Sequence, residues 1–126
     1  MNMEKTVYIT EKEREMCYKV IDAFAELYEM EDEDILLVDA GRYGFVKLQC
    51  YTPSYGFEEL DTYIDSKSLF EGLWDEWFNL NVFLLAREMQ IDDVFYDDIF
   101  NNLPKEKQSE LIGRKDDFAK KAGITQ

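Results

Sequence analysis

Between Ser68 and Gln90 the chain carries Leu69, Phe70, Leu73, Trp74, Trp77, Phe78, Leu80, Val82, Phe83, Leu84, Leu85 and Met89. On a helix these positions occupy most of the circumference, and a helix that is apolar nearly all round is stable only when neighbours cover it on more than one side. This segment therefore sets the problem that the rest of the chain must solve. Its start is well marked: Asp65, Ser66 and Ser68 are all usable N-caps, and Ser68 with Glu71 forms a capping box.

The covering elements are legible on either side. Thr10-Glu11-Lys12-Glu13 is a capping box, with Thr10 placed to accept from the Glu13 N–H and the Glu13 carboxylate placed to reach back. The helix it opens repeats apolar residues every three or four positions through Cys17, Val20, Ile21, Phe24, Ala25, Leu27 and Tyr28, to about Met30. Glu31-Asp32-Glu33-Asp34 ends it, because four like charges at a helix C-terminus oppose the macrodipole, and the run forms an exposed turn. Ile35–Ala40 favours a strand, and Phe45–Thr52 alternates Val46, Leu48 and Cys50 with Lys47 and Gln49. Gly41 and Gly44 between them supply positive φ for a hairpin. A third strand is predicted at about Glu59–Ile64, where Leu60, Thr62 and Ile64 alternate with Asp61 and Tyr63.

After the long helix come a short segment, Asp92–Leu103, and a final helix from near Pro104 that stops at Gly123, a residue suited to a C′ cap. No repeat, low-complexity tract or linker interrupts the chain, so residues 1–126 form one acidic domain. The fold class is α+β: an N-terminal helix, a two- to three-stranded antiparallel β-meander, then a long buried helix and two shorter C-terminal helices.

Charge limits what such a domain does. The chain has 28 acids and 14 bases, for a net charge of −14, and residues 22–102 hold 20 of the acids with only four bases. A polyanion repels phosphate and anionic lipid, which disfavours direct nucleic-acid or membrane binding. The terminal segment is the exception, and its Lys105, Lys107, Arg114, Lys115, Lys120 and Lys121 can lie against the acidic body or form a partner-binding arm. There is no His, which excludes catalytic triads and His-ligated zinc. No serine sits in an elbow motif, neither Cys17 nor Cys50 has a His to activate it, and Gly41-x-x-Gly44 reads as a turn. The opening Met1-Asn2-Met3-Glu4-Lys5 has no secretion signal, and the longest purely apolar stretch, Val82–Ala86, is far below the roughly 18 residues a membrane span requires. These features predict a soluble cytoplasmic protein with two buried, reduced thiols.

Two constellations remain. Asp92, Asp93, Asp97 and Asp98 flank Val94-Phe95-Tyr96, and on a helix Asp93 and Asp97 stand one turn apart, close enough to share a hard divalent cation with Glu26 and Glu29 of the first helix. With so many acids such pairs arise by chance, and no metal or other cofactor is assigned. The more suggestive feature is dense acid among aromatics: Tyr51, Tyr55, Phe57, Tyr63, Phe95, Tyr96 and Phe100. Were Tyr51, Tyr55 and Tyr63 to project from the solvent side of the sheet, with Glu58, Glu59 and Asp61 around them, the patch would suit a basic partner. The leading expectation is a non-enzymatic protein-binding module, in the manner of an immunity protein, antitoxin or adaptor, that engages a basic protein surface through Tyr51, Tyr55, Glu58, Glu59, Asp61, Tyr63, Asp92, Asp93, Asp97 and Asp98. The alternatives are a nucleic-acid mimic that inhibits a DNA-binding enzyme such as a nuclease or restriction system, and a divalent-metal enzyme built on the Asp/Glu clusters. Nothing in the sequence reports the oligomeric state.

Overall fold

Thr10 opens the first helix with its hydroxyl accepting from the Glu13 N–H at 3.1 Å. The other half of the capping box is absent, because the Glu13 carboxylate accepts instead from the backbone N–H of Ser66 at 2.8 Å and from its hydroxyl at 3.0 Å. A residue in the first turn of one helix thus ties it to the start of another. The computed structural model of the chain describes residues 8–30, 35–51, 56–91 and 96–124, without the side chains of 28–30 and 96–98.

The elements run α1 (Glu11–Ala23), α2 (Ala25–Met30), β1 (Ile35–Asp39), a 3-10 turn (Gly41–Tyr43), β2 (Phe45–Cys50), β3 (Phe57–Tyr63), α3 (Ser66–Glu88), α4 (Tyr96–Asn101) and α5 (Lys105–Ala122). The first helix is divided at Phe24, where the expected stripe continues but the backbone turns. Phe24 is fully buried there, stacked on Phe118 at 4.3 Å between ring centres and edge-on to Phe70 at 5.4 Å. α3 begins at Ser66 with Asp65 as its N-cap, accepting from the Ser68 N–H at 2.7 Å, while Glu71 pairs with Lys115 instead of closing a box on Ser68. Gly123 caps α5 in the left-handed conformation at φ 72°, as its position implied.

The sheet is an antiparallel meander in the order β1-β2-β3. Directly opposed residues share a face, so the register Leu37↔Lys47, Asp39↔Phe45 and Phe45↔Tyr63 defines one side. That side meets the helices. Phe45 and Tyr63 are buried, Tyr18 of α1 lies edge-on to Phe45 at 5.3 Å, and Lys47 reaches Glu76 of α3 at 3.1 Å. Tyr63 lies over Gly72 so closely that a Cβ there would stand 2.4 Å from the Tyr63 hydroxyl oxygen. The third strand consequently has the opposite phase to the one its Leu60, Thr62 and Ile64 alternation suggests: Leu60 and Thr62 are exposed and Tyr63 is buried. The pairing of Tyr63 with Phe45 sets this phase, and a β-bulge opposite Lys47/Leu48, with Leu60 as the extra residue of β3, reverses the parity of Phe57–Glu59 relative to Asp61–Tyr63.

α3 is covered by α1, α5 and the inner side of the sheet. Leu69, Phe70, Leu73, Trp74, Trp77, Val82 and Ala86 are buried, whereas Phe83 and Met89 toward its C-terminus are exposed. α5 is part of this core and not an arm: Phe118 is fully enclosed, with Trp77 edge-on at 5.2 Å, and Leu111, Ala119 and Ala122 are buried beside it. Replacing Phe118 by Ala should therefore cost about 3–5 kcal/mol, read from urea unfolding; a loss below about 1 kcal/mol would mean that α5 is only loosely docked. The hairpin glycines differ as well. A Cβ at Gly44 (φ 95°) would stand 2.2 Å from the Tyr63 carbonyl oxygen, while one at Gly41 (φ 66°) meets nothing. Gly41→Ala should cost about 1–2 kcal/mol from its backbone conformation alone, and Gly44→Ala should lower the melting temperature further still.

Candidate functional site

The side of the sheet turned away from the helices is unlike an ordinary solvent face. An antiparallel sheet packed on one side normally presents polar residues on the other. Here the register places Leu36 against Leu48, Val38 against Val46, and Cys50 against Phe57 on the outer side, with Glu59 and Thr62 completing the rows on β3. Leu36 is 47% exposed and Phe57 65%, Val38 and Leu60 are also exposed, and Val46, Leu48 and Cys50 are half-buried. Adjacent apolar side chains on this scale mark interaction sites more often than scattered surface residues do.

The aromatic patch expected from the sequence is not assembled in this form. Tyr63 is buried beneath the sheet and does not project to solvent. Tyr51 is exposed, but its parity and its hydrogen bond to Glu58 Oε1 at 3.0 Å put the two together on the inner-side parity at the open end of the sheet. That bond also raises the Tyr51 pKa above the usual phenol value. Asp61 shares that parity opposite Lys47, whereas Glu59 lies on the outer side opposite Leu48, so the acids of β3 divide between the two faces. All three acids are exposed. Tyr55, Asp92 and Asp93 lie outside the described residues; Asp97 and Asp98 fall on α4 and Glu29 on α2, with side chains outside the description. Leu36, Val38, Val46 and Leu48 were missed as site residues, and Phe57 was noted only as one aromatic among several. The available signal was Ile35-Leu36-Leu37-Val38, which lacks polar alternation and so has an apolar residue on each side at every step.

Glu26, a candidate metal ligand, is otherwise engaged: Arg114 donates to its Oε1 at 2.6 Å and the Trp77 indole N–H to its Oε2 at 3.3 Å. Among the described residues no three Cys, Asp or Glu side chains come together in a way that could hold a metal ion. The two larger of the described clefts run between helices. One of about 560 Å³ is lined by Met16, Ser66, Lys67, Phe70, Glu71, Gly123 and Ile124, the other of about 510 Å³ by Trp77, Asn81, Glu110, Leu111, Gly113, Arg114 and Asp117. Neither lining contains a nucleophile beside a base free to activate it, since the Ser66 hydroxyl is buried and already donates to Glu13. Under the sheet, burial pulls the Lys47 pKa down, but Glu76 and the Tyr63 hydroxyl outweigh it and the net shift is upward, which keeps this amine protonated rather than nucleophilic. Cys17 is fully buried and burial pushes its thiol up to about 11, so it is inert. Cys50, expected to be buried as well, is half-buried on the outer face.

No family model, curated protein or solved structure matches the chain. No helix of the described residues is long and apolar enough to cross a membrane.

A polar joint ties the end of β1 to α1. Asp39 accepts from the Tyr18 hydroxyl at 2.5 Å, from Arg14 at 2.5 Å and from the Gly41 N–H at 2.9 Å, and Arg14 also donates to the Gly41 carbonyl. These donors, Tyr18 first and Arg14 second, lower the Asp39 pKa to about 2. A carboxyl more acidic in the folded state than its unfolded value of about 3.9 stabilises the fold fully above that value and progressively less as the pH falls through the folded pKa. Asp39→Asn should therefore lower the unfolding free energy at pH 7 by up to about 1 kcal/mol, the ceiling for partly exposed pairs. In urea titrations the difference from wild type should shrink on acidification below about pH 4. A difference that stays constant down to pH 2 would contradict the assignment.

Proposed function

We propose that the protein is a non-enzymatic protein-binding module, of the kind represented by immunity proteins, antitoxins and adaptors, and that it captures a partner with a basic surface. The observation that carries this reading is the outer side of the sheet, where Leu36, Val38, Val46, Leu48 and Phe57 lie in adjacent rows beside the exposed Glu59 of β3. Apolar area supplies affinity once it is desolvated, and a net charge of −14 accelerates encounter with a cationic surface and repels anionic competitors. The reading places the protein in the cytoplasm, in keeping with two cysteines that are both free.

The test is affinity capture from a lysate of the source cell with wild type and two variants. Leu36→Glu with Phe57→Glu alters the outer face, and Ile112→Glu alters an exposed apolar residue on α5. Wild type and Ile112→Glu should retain the same basic protein, eluted by high salt, and the double variant should lose it. Retention unaffected by the double variant would contradict the proposal. A nuclease held through the acids alone would favour the nucleic-acid mimic instead.

A further inference from the structure

Among the described residues the order β1-β2-β3 leaves two strand edges, and the sheet treats them differently. β3 carries Glu58, Glu59 and Asp61 and a bulge at Leu60, which are the ordinary devices that keep an edge from pairing with another chain. β1 has no bulge, and its acid, Asp39 at the strand end, is paired with Arg14. Its residues are Ile35-Leu36-Leu37-Val38-Asp39, in unbroken register with β2, and none of the described helices packs extensively against it. Its free hydrogen-bonding groups follow from the ladder. Ala40 donates to the Gly44 carbonyl at 2.7 Å, and because cross-strand bonds of an antiparallel pair recur at every second residue, Val38 and Leu36 also bond to β2. Ile35 and Leu37 then direct their N–H and C=O groups outward, away from the sheet.

We infer that the partner docks by adding a strand to β1, as an extended segment in which apolar residues alternate with Lys or Arg; this rests on the outer face being the binding surface. Side chains on one side of the added strand would lie beside Leu36 and Val38 and prolong the apolar face by a fourth row. Those on the other side run along the line of Ile35, Leu37 and Asp39, and in the sequence the strand is preceded by Glu31, Asp32, Glu33 and Asp34. Asp39 is already paired with Arg14, so it is the net charge of −14 that favours a cationic strand. The same charge disfavours a second copy of this chain, because pairing β1 with itself would bring together two molecules that each carry −14.

The probe is a nine-residue peptide of alternating Lys and Val, blocked at both ends, added to the full-length protein at low salt and followed by NMR amide exchange. Saturation should slow exchange at Ile35 and Leu37 at least tenfold and leave the amides of β3 unchanged. Leu37→Pro, which removes an outward N–H without touching the ladder, should weaken binding at least tenfold with an unchanged far-ultraviolet circular dichroism spectrum. Should that variant not fold, the wild-type exchange data decide. Peptide binding that shifts the Leu36 and Phe57 side-chain signals without slowing Ile35 and Leu37 would overturn strand addition while leaving the binding face intact. Equal binding of a Lys/Ser peptide, or no binding of either peptide, would also overturn strand addition, and capture with the Leu36→Glu, Phe57→Glu variant would then decide the face separately. Slowing that grows with protein concentration in the absence of peptide would assign the edge to a second copy.

Discussion

Covering α3 is the condition on which the rest of the structure depends. Leu69, Phe70, Leu73, Trp74 and Trp77 form an apolar surface that extends around the helix, and each such side chain fully buried is worth about 1.5–3 kcal/mol. The joint between α1 and α2 contributes Phe24, α5 contributes Phe118, and the sheet contributes Tyr63, seated on Gly72. Only the inner side of the sheet takes part. The described helices pack on that side, and the outer side keeps the apolar residues that β1 and β2 also carry.

The scarce bases of an acidic chain serve as joints in this arrangement. Arg14 fastens α1 to the end of β1 through Asp39, Lys47 joins β2 to α3 through Glu76, and Lys115 joins α5 to α3 through Glu71. Arg114 does more: it pairs with Glu26 of α2 and lies over the rings of Trp77 and Phe118 at 5.0 and 4.8 Å. Arg114 and Lys115 of the basic terminal segment are thereby used within the fold.

Much of the fold was legible because it depends on local chemistry. Thr10, Asp65 and Gly123 mark helix ends by groups that satisfy backbone donors and acceptors within a turn, and Gly41 and Gly44 mark the hairpin by conformations that other residues avoid. The phase of the sheet was not legible, since it is decided at a distance. Alternation in β2 separates Val46, Leu48 and Cys50 from Lys47 and Gln49 but does not say which set meets the helices. A reading that buries the apolar set is reversed once Phe45 and Tyr63 supply the inner contacts and Glu76 accepts Lys47. The bulge at Leu60 then changes the parity of β3, and with it the placement of Glu58, Glu59 and Asp61. A one-residue slip moves every side chain to the other face, which is why residues expected in one patch stand on two. Glu13 and Glu71 show the same limit on a smaller scale: each fits a local capping box, and each finds a tertiary partner instead.

Among the described residues the sheet has one covered side and one exposed apolar side. Methyl-resolved NMR with a neutral, soluble paramagnetic agent tests it most directly. The methyl groups of Leu36, Val38 and Leu60 should relax strongly in proportion to the agent, while those of Leu69 and Leu73, which are fully buried in α3, should be nearly unaffected. If the methyls of Leu36 and Val38 prove as protected as those of Leu69, the outer face is covered in the free protein and the account of it as a binding surface is contradicted.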